Sequence, residues 1–578
     1  MNSILMTVFG LLGGLAIFLF GMNSMSEALQ KAAGEKMRKI LAFLTKNPVM
    51  GALAGALVTA VLQSSSATTV MTIGFVSAGL MGLPQAISVI FGANIGTTMT
   101  AQLIAFKISD YIYPIIFIGF LVNFLGKKER VKDIGQVIFS FGLLFEGIEI
   151  MSSVMKPLAQ SAVFTDLMGR VKDVPFLGIL LGMCMTLLVQ SSSATIAVLQ
   201  SFASTAVAGT TTSVIGLTGA IPILLGDNIG TTITAILASI GQNRNAKRTA
   251  AAHAIFNITG TILFSFFIPQ FAAFITWISP KGDGVAVISR QIANAHTTFN
   301  VVCTLIWLPL LGFMVKIVTV LIPDAKTKGS EEKIPALDAR IAAQPAAAMV
   351  LISDEIAKLS ERTKELFSQV LRQLSKDQAG TEAEGVGTYQ QFYTDYNEAK
   401  AVLKNLMDTI SMMFARGSLS QEQSAEASGL LSVVDDIDRI LDRCRDIVTD
   451  AAKVHAGGRK FSGEAAEEIA DCVGAAQKMY AQAFGMVSGE KIDDPEEIRK
   501  AKNRLRKSIR RFNKAHLKRI QEKKCDQALT GVFGDILYNV DRIGDNCVSI
   551  AEEALDGTAL SLRADIQAAE VRTEEMRE

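Results

Sequence analysis

Residues 47–106 contain no aspartate, glutamate, lysine or arginine, and no other feature of this 578-residue chain limits its fold as strongly. One helix needs only ~20 apolar residues to cross the hydrocarbon core of a bilayer, so this stretch is long enough for several membrane-embedded segments. A charge-free apolar run of that length is typical of a membrane protein rather than of a soluble core. Because lipid offers no hydrogen bonds to the backbone, we predict an all-α, polytopic membrane protein.

The distribution of charge divides the chain into two parts that suit different solvents. Residues 1–323 carry 19 basic and 11 acidic residues, a net charge of +8. The remaining residues carry 37 basic and 44 acidic residues, a net charge of −7, which together give the +1 of the whole chain. We predict a membrane domain over residues 1–322, a linker over residues 323–345 and a soluble helical domain over residues 346–570, where apolar residues recur with helical spacing.

Two polar sequences occur twice within the apolar part. Gln-Ser-Ser-Ser-Ala-Thr stands at residues 63–68 and again at 190–195, an offset of 127. Gly-x-Asn-Ile-Gly-Thr-Thr stands at residues 92–98 and 226–232, an offset of 134. We call them the QSSS and NIGTT motifs. Polar side chains are costly in lipid unless something satisfies them, so the pattern indicates an internal duplication with a polar site at its centre, as in transporters.

The apolar segments 48–80 and 175–208 are long for one helix, and each carries a QSSS motif near its middle. We predict that each forms a re-entrant hairpin, in which two helices meet at a polar tip and both ends lie on one side of the membrane. Such non-helical backbone is tolerated at membrane depth only where protein or a water-filled cavity covers it.

The basic residues between the apolar segments test this topology. With both hairpins in place, three basic clusters and the charged C-terminal half fall on one face, and the excess of lysine and arginine makes that face cytoplasmic. The N terminus is then outside, and the two repeats, about residues 4–126 and 134–322, have inverted topology. The clusters are Lys31, Lys36, Arg38, Lys39 and Lys46; Lys127, Lys128, Arg130 and Lys132; and Arg244, Lys247 and Arg248.

The chemistry of the two motifs suits an anion together with a cation. A hairpin tip exposes N–H groups at the start of a helix, which favour an anion, as do serine hydroxyls. Free carbonyl and hydroxyl oxygens at a broken helix can hold Na⁺. The glycine of each NIGTT motif, beside polar residues, predicts a second helix break. The alternative is that serine and threonine simply pack helices together through small contacts.

Asp227 is the one acidic residue of its apolar segment, and its counterpart in the first repeat is Ala93. An intramembrane carboxylate is costly and by default functional, so we predict a cation ligand or a proton carrier; a capping role at a helix break is the alternative. Glu146 and Glu149 are weaker candidates. His253 and His296, each in a His-x-x-Phe-Asn sequence, are expected to be structural hydrogen-bonding groups, with proton coupling as the alternative.

The soluble half has its own repeat, because Asp-Arg-Ile-x-Asp occurs at residues 438–442 and 541–545. Aspartates four residues apart share a helix face, so two such helices could hold a divalent or transition metal through Asp438, Asp442, Asp541 and Asp545. A solvated charged face is the alternative. The basic run 500–524 is expected to be a solvated helix face rather than a contact with anionic lipid. We find no Walker A, metalloprotease or nucleophile-elbow motif, and we predict no enzymatic activity.

The paired QSSS and NIGTT motifs of residues 1–323 resemble those of the bacterial type II sodium-dependent phosphate cotransporters. The resemblance implies that Na⁺ is the coupling ion and that inorganic phosphate and Na⁺ bind between the two hairpins. The predicted ligands are Gln63, Ser64, Ser65, Ser66, Thr68, Asn94, Thr97, Thr98, Gln190, Ser191, Ser192, Ser193, Thr195, Asp227, Asn228, Thr231 and Thr232.

Residues 346–570 resemble PhoU, a helical regulator of phosphate uptake, most closely around residues 541–552. The resemblance implies two three-helix bundles with acidic metal-binding motifs. The first copy has Leu441 where the second has Gly544, which weakens the metal prediction there.

We therefore predict Na⁺-coupled phosphate transport across a bacterial inner membrane, with a cytoplasmic PhoU-like regulatory domain. Phosphate export and membrane phosphate sensing are the alternatives, and arsenate or sulfate could take the place of phosphate. The expected partners are phosphate, Na⁺ and the lipid bilayer, without nucleic acid, and a homo-oligomer is left open.

Overall fold

The computed structural model describes residues 3–42, 47–77, 80–106, 108–158, 174–207, 209–323, 342, 345–379, 382–415, 419–487 and 495–555. These residues form α-helices, two short 3₁₀ turns and one lone β-bridge, with no β-strand among them. The chain divides into two compact units, Met1–Ala336 and Leu337–Glu578. The predicted all-helical class is therefore confirmed, while most of the predicted linker lies outside the described residues.

The first unit contains thirteen helices among its described residues. They are α1 Ser3–Ala42, α2 Pro48–Leu62, α3 Ser65–Ser77, α4 Leu83–Ile104, α5 Ile112–Leu125, α6 Glu129–Leu158, α7 Pro175–Val189, α8 Ser192–Ala203, α9 Gly216–Ser239, α10 Arg244–Ser265, α11 Ile268–Ile278, α12 Gly284–Trp307 and α13 Leu311–Leu321.

Four helices, α1, α4, α6 and α9, are long and apolar enough to cross a membrane. Two bent pairs would raise this number to six, because α10 and α11 meet at 93° and α12 and α13 at 85°. The predicted membrane-embedded character of this unit is thus confirmed at the level of several candidate spans within the described chain.

Helices α4 and α9, which carry the NIGTT motifs, form the centre of the unit. In each of these two helices, 72% of the most apolar stretch is buried, against 28% in α1 and 33% in α6. Helices α10 and α12 each pack against both α4 and α9. The two duplicated helices and the two His-x-x-Phe-Asn helices therefore form one central group of four.

The predicted helix break at the NIGTT motifs is wrong, because α4 runs unbroken through Gly96 and α9 through Gly230. Glycines earlier in the same motifs instead allow close helix packing. A Cβ on Gly92 would lie 1.8 Å from the Ala52 carbonyl oxygen of α2, and one on Gly226 would lie 1.9 Å from a carbonyl oxygen of α7. Each central helix thus touches the first helix of its own QSSS segment backbone to backbone.

The second unit contains six helices among its described residues. Helices α14, α15 and α16 pack together as one group, α17, α18 and α19 as another, and the groups meet through the pairs α16–α19 and α14–α17. The helices are α14 Pro345–Ala379, α15 Glu382–Ala415, α16 Gln421–Ala456, α17 Gly463–Val487, α18 Pro495–Gln521 and α19 Thr530–Leu555.

Candidate functional site

Both QSSS motifs interrupt a helix at the same residue. Helix α2 ends just before Gln63 and α7 just before Gln190, and these glutamines have left-handed backbone, with φ of 52° and 54°. Lys523 is the one other non-glycine residue with positive φ in the described chain. This conformation costs about 1–2 kcal/mol for a residue with a Cβ. Strain stored at two equivalent points of a duplicated motif marks both as functional candidates.

The chain turns back on itself at each break. The Thr59 hydroxyl donates a hydrogen bond to Thr68 Oγ1 at 2.8 Å, and the hydroxyl oxygens of Thr186 and Thr195 lie 3.0 Å apart. In a continuous helix, residues nine apart would be separated by about 13.5 Å along the axis. Two helices therefore converge on each QSSS motif.

The first serine of each motif caps the helix that follows. Ser64 Oγ accepts a hydrogen bond from the Ala67 amide at 3.2 Å, and Ser191 Oγ accepts one from the Ala194 amide at 3.3 Å. The second and third serines then stand in the first turns of α3 and α8, where amide N–H groups have no partner within the helix. They are Ser65, Ser66, Ser192 and Ser193.

The two repeats meet through their second QSSS helices. The Thr234 hydroxyl of α9 donates to Ser66 Oγ of α3 at 3.3 Å. On the other side, the Gln200 amide of α8 donates to the Ala101 carbonyl of α4 at 3.1 Å. Each QSSS segment therefore contacts the central helix of the other repeat.

The two breaks differ in their exposure. Gln63 is buried, and its Oε1 accepts a hydrogen bond from the Thr100 hydroxyl at 2.9 Å. Gln190 is exposed at the surface of the unit, beside Leu188, which is 85% exposed. The repeated sequence therefore does not produce two identical environments.

Asp227 lies at the centre of the second repeat and is fully buried. Its Oδ1 accepts a hydrogen bond from the Thr186 hydroxyl at 2.6 Å. Its Oδ2 is buried without a hydrogen-bond partner in the described part of the chain. A buried carboxylate oxygen with no partner is costly, which makes this position a candidate cation ligand.

The asparagine of each NIGTT motif is held by a histidine. His253 Nε2 lies 3.0 Å from Asn94 Oδ1, and His296 Nε2 lies 3.3 Å from Asn228 Oδ1. Both histidines thus form hydrogen bonds between helices, and the choice between a structural role and proton coupling stays a prediction. The His-x-x-Phe-Asn sequences thus hold the asparagines of the NIGTT motifs in place.

The threonines of the NIGTT motifs bond to their own helices. Thr97 and Thr98 donate to carbonyls of α4, and Thr231 and Thr232 donate to carbonyls of α9. Their hydroxyl hydrogens are therefore engaged, and only their oxygen lone pairs are left to serve as ligands.

The two weaker acidic candidates lie on α6. Glu146 Oε2 is buried without a hydrogen-bond partner among the described residues, and Glu149 Oε2 accepts a hydrogen bond from Ser109 at 3.2 Å. No hydrogen bond joins either of them to a QSSS serine among the described residues.

Sequence reasoning missed four threonines that connect the site. Thr59 and Thr186 close the two breaks, and Thr100 and Thr234 bond to Gln63 and Ser66. Thr100 and Thr234 are related by the same offset of 134 as the NIGTT motifs. A comparison of the two repeats two residues beyond the NIGTT motifs would have found Thr100 and Thr234.

The predicted metal cluster of the second unit is not formed, since the described residues contain no group of three or more potential metal ligands. A lysine lies between the two aspartates of each repeat instead. Lys502 Nζ is 2.9 Å from both Asp541 Oδ1 and Asp545 Oδ1. Lys400 contacts Asp438, and its Nζ is 3.3 Å from Asp442 Oδ1.

These lysines supply the positive charge that a metal ion would bring, so Asp438, Asp442, Asp541 and Asp545 do not fit a metal site. Partial burial opposes the ionisation of Asp442. The hydrogen bond from Tyr396 and the Lys400 charge outweigh that effect and hold the pKa of Asp442 below its usual value. Its negative charge is thus already balanced by protein groups.

The chain matches the sequence profile of the family described as Na⁺/Pi-cotransporter twice, over residues 17–153 and 147–278. These ranges contain both QSSS motifs, both NIGTT motifs and Asp227. No solved structure matches the chain.

Three relatives show how far the similarity extends. "Uncharacterized protein YqeW" of Bacillus subtilis is 35% identical over 306 residues, which are 53% of this chain and 95% of the relative. "Putative inorganic phosphate export protein YjbB" of Escherichia coli is 23% identical over 574 residues, 96% of this chain and 98% of the relative. "Sodium-dependent phosphate transport protein 2A" of Rattus norvegicus is 38% identical over 97 residues, 16% of this chain and 15% of the relative.

Proposed function

Because the chain belongs to the Na⁺/Pi-cotransporter family, we propose that it carries inorganic phosphate across a bilayer with Na⁺ as the coupling ion. One observation carries the assignment of the site: the two QSSS motifs break their helices at equivalent glutamines, and Ser66 of the first motif bonds to Thr234 of the other repeat. We place the phosphate and Na⁺ between these two breaks.

The first turns of α3 and α8 supply the anion-binding groups. Amide N–H groups at a helix start carry partial positive charge, and serine hydroxyls add donors that suit phosphate oxygens. Ser65, Ser66, Ser192 and Ser193 stand in these turns, while Gln63 and Gln190 end the preceding helices. No lysine or arginine is needed in this arrangement, because neutral dipoles from both repeats act on one anion.

Na⁺ is assigned to the second repeat. Asp227 Oδ2 is a buried carboxyl oxygen without a hydrogen-bond partner in the described chain. The Thr186 hydroxyl donates to the other oxygen of the same carboxyl group, and Thr195 Oγ1 lies 3.0 Å from Thr186 Oγ1. Oxygen ligands of this kind suit a hard monovalent cation. Ala93 offers no such ligand in the first repeat. The cation would offset the carboxylate charge next to the phosphate.

The inverted arrangement is supported by contacts at the ends of the central helices. Ser77, at the end of α3 and just before α4 begins, bonds to Gln242 just after α9 ends, at 2.6 Å. Gln200, near the end of α8, bonds to Ala101 near the end of α4. These contacts bring the start of α4 near the end of α9, as expected if the two central helices run in opposite directions.

A further contact is consistent with the proposed membrane orientation. Arg248, at the start of α10, donates to the Ile322 carbonyl at the end of α13, at 2.9 Å. The start of α10 and the end of α13 therefore lie on one face of the membrane unit. We take this face as cytoplasmic because of its basic residues. We propose a multi-pass protein of the bacterial cytoplasmic membrane with its N terminus outside and a PhoU-like regulatory unit in the cytoplasm, independent of metal.

Replacement of the central serines tests the site. We expect the double substitution Ser65→Ala and Ser192→Ala to lower Na⁺-dependent uptake of radiolabelled phosphate into proteoliposomes by at least about tenfold, because each hydrogen bond to a charged ligand contributes ~1.5–3 kcal/mol. Ser153→Ala on α6 is the matched control, since its hydroxyl bonds only to its own helix. Equal flux in the two proteins would refute the site.

The direction of transport needs a second measurement with the same proteoliposomes. Imposing Na⁺ gradients of either sign separates import, in which phosphate follows the inward gradient, from export, which the printed name of YjbB suggests for that relative. Phosphate binding without net flux under either gradient would support a membrane sensor instead.

A further inference from the structure

A cleft of about 340 Å³ lies between α17 and α18 of the second unit. Its floor is apolar and includes the buried side chains of Met479, Leu505 and Phe512. Its rim is polar and is built from both helices. The rim residues are Lys478 and Gln482 on α17 and Arg504, Ser508 and Arg511 on α18.

The three cations of the rim, Lys478, Arg504 and Arg511, form no ion pair with any described residue. Two other cations of α18, Lys502 and Arg506, contact the aspartates of α19 instead. One carboxylate, that of the exposed Asp471, also lines the cleft. The lining therefore carries three positive groups and one negative group.

The first three-helix group shows that the fold does not require these cations. Lys400 and Lys502 occupy equivalent positions, because each bridges the aspartates of its own Asp-Arg-Ile-x-Asp sequence. These two lysines are 102 residues apart in the sequence. With the same offset, Val402, Leu406 and Thr409 are the counterparts of the rim residues of α18. All three are buried, whereas Arg504 and Arg511 are exposed. The charged rim is therefore an addition specific to the second group.

The chemistry of the cleft points to its ligand class. Arginine pairs with phosphate oxygens in a planar, bidentate geometry. Concave sites of about 300–1,000 Å³ with an apolar lining and a few polar groups are typical for small molecules. Orthophosphate would leave the apolar floor uncovered. We propose that this cleft binds a phosphate-bearing anion larger than orthophosphate, with the arginines on its phosphate groups and the apolar floor against the remainder.

Calorimetric titration of the full chain in detergent with pyrophosphate and with ATP tests the proposal. A buffer with choline in place of Na⁺ keeps coupled phosphate binding at the transport site out of the signal. We expect binding that weakens by at least about tenfold in the double variant Arg504→Gln and Arg511→Gln. The control pair, Arg510→Gln and Lys514→Gln, removes two exposed charges of the same helix outside the cleft and is expected to change affinity less than about twofold.

A second variant blocks the cleft without removing its charges. Ser508→Trp is expected to abolish ATP binding while the unfolding temperature stays that of the unaltered protein. A third arm titrates short-chain phosphatidylglycerol against phosphatidylcholine; binding of the former alone, lost in the arginine variant, identifies a lipid headgroup as the source of the phosphate. Absence of binding to every probe, or equal loss in the cleft and control pairs, would overturn the proposal.

Discussion

Asp227 and Ala93 occupy the same position in the two repeats and make them chemically unequal. The carboxylate is fully buried, accepts one hydrogen bond from Thr186 and has one oxygen without a partner in the described chain. A second inequality accompanies it, because Gln63 is buried and Gln190 is exposed. At this position the duplicated sequence thus carries an acidic residue in the second repeat only, as the proposed cation site requires.

Replacing the carboxylate by an amide tests this assignment. Asp227→Asn keeps an oxygen that can accept from Thr186 but removes the negative charge. We expect the Na⁺ concentration for half-maximal phosphate flux to rise by at least about tenfold, which corresponds to ~1.4 kcal/mol of binding free energy. Glu129→Gln is the control, because Glu129 is exposed and pairs with Lys132 on its own helix. An unchanged Na⁺ dependence in Asp227→Asn would remove Asp227 from the cation site.

At the scale of helices, close backbone contact joins each central helix to its own QSSS segment. Glycines face carbonyl oxygens across the pairs α2–α4 and α7–α9, so the helix axes approach more closely than side chains would allow. The same pairing occurs in both repeats. The glycines of the NIGTT motifs therefore serve packing.

Alanine at these glycines is expected to disrupt the first unit. Gly92→Ala and Gly226→Ala each place a Cβ within 2 Å of a carbonyl oxygen, and we expect a loss of about 3 kcal/mol or more in unfolding free energy. Gly13→Ala and Gly312→Ala have open space around the new Cβ and are expected to be neutral or stabilising by up to ~1 kcal/mol. Thermal unfolding in detergent measures the difference; similar melting temperatures in both pairs would contradict the packing argument.

The sequence was informative where local chemistry decides the structure. The QSSS motif ends a helix because its first serine caps the next one, and this break was predicted. The NIGTT motif was predicted to interrupt its helix, but the helix is continuous there. Its threonine hydroxyls bond within their own helix, and the backbone of a neighbouring helix occupies the space beside its glycines. The lysines of the acidic repeat were missed because they lie on a different helix, more than thirty residues away.

At the scale of the molecule, the chain consists of two compact units. YqeW matches 306 residues, nearly its whole length, whereas YjbB matches almost the entire chain. YqeW therefore has about the length of the first unit and is too short to contain both units. The second unit is an addition that the transport site, as we assign it, does not use.

A shortened chain tests whether the first unit transports phosphate alone. We expect residues 1–323, reconstituted in proteoliposomes, to retain Na⁺-dependent phosphate flux within about threefold of the full chain, because every proposed ligand lies in this range and unit interfaces are commonly modest. The same fragment with Ser65→Ala and Ser192→Ala gives the background phosphate flux. A fragment that inserts and stays monodisperse yet carries no phosphate would show that the second unit is part of the transport machinery.

The backbone contacts between helices also have a mechanical consequence. Two helices that touch carbonyl to glycine cannot slide or rotate past each other without a collision, so α2 with α4 and α7 with α9 must each move as a rigid body. Gly14 and Gly147 lock α1 to α6 in the same way. If the proposed transport requires helices to shift, we expect the shift to occur between these blocks, where α1 meets α2 and α6 meets α8, rather than within the locked pairs.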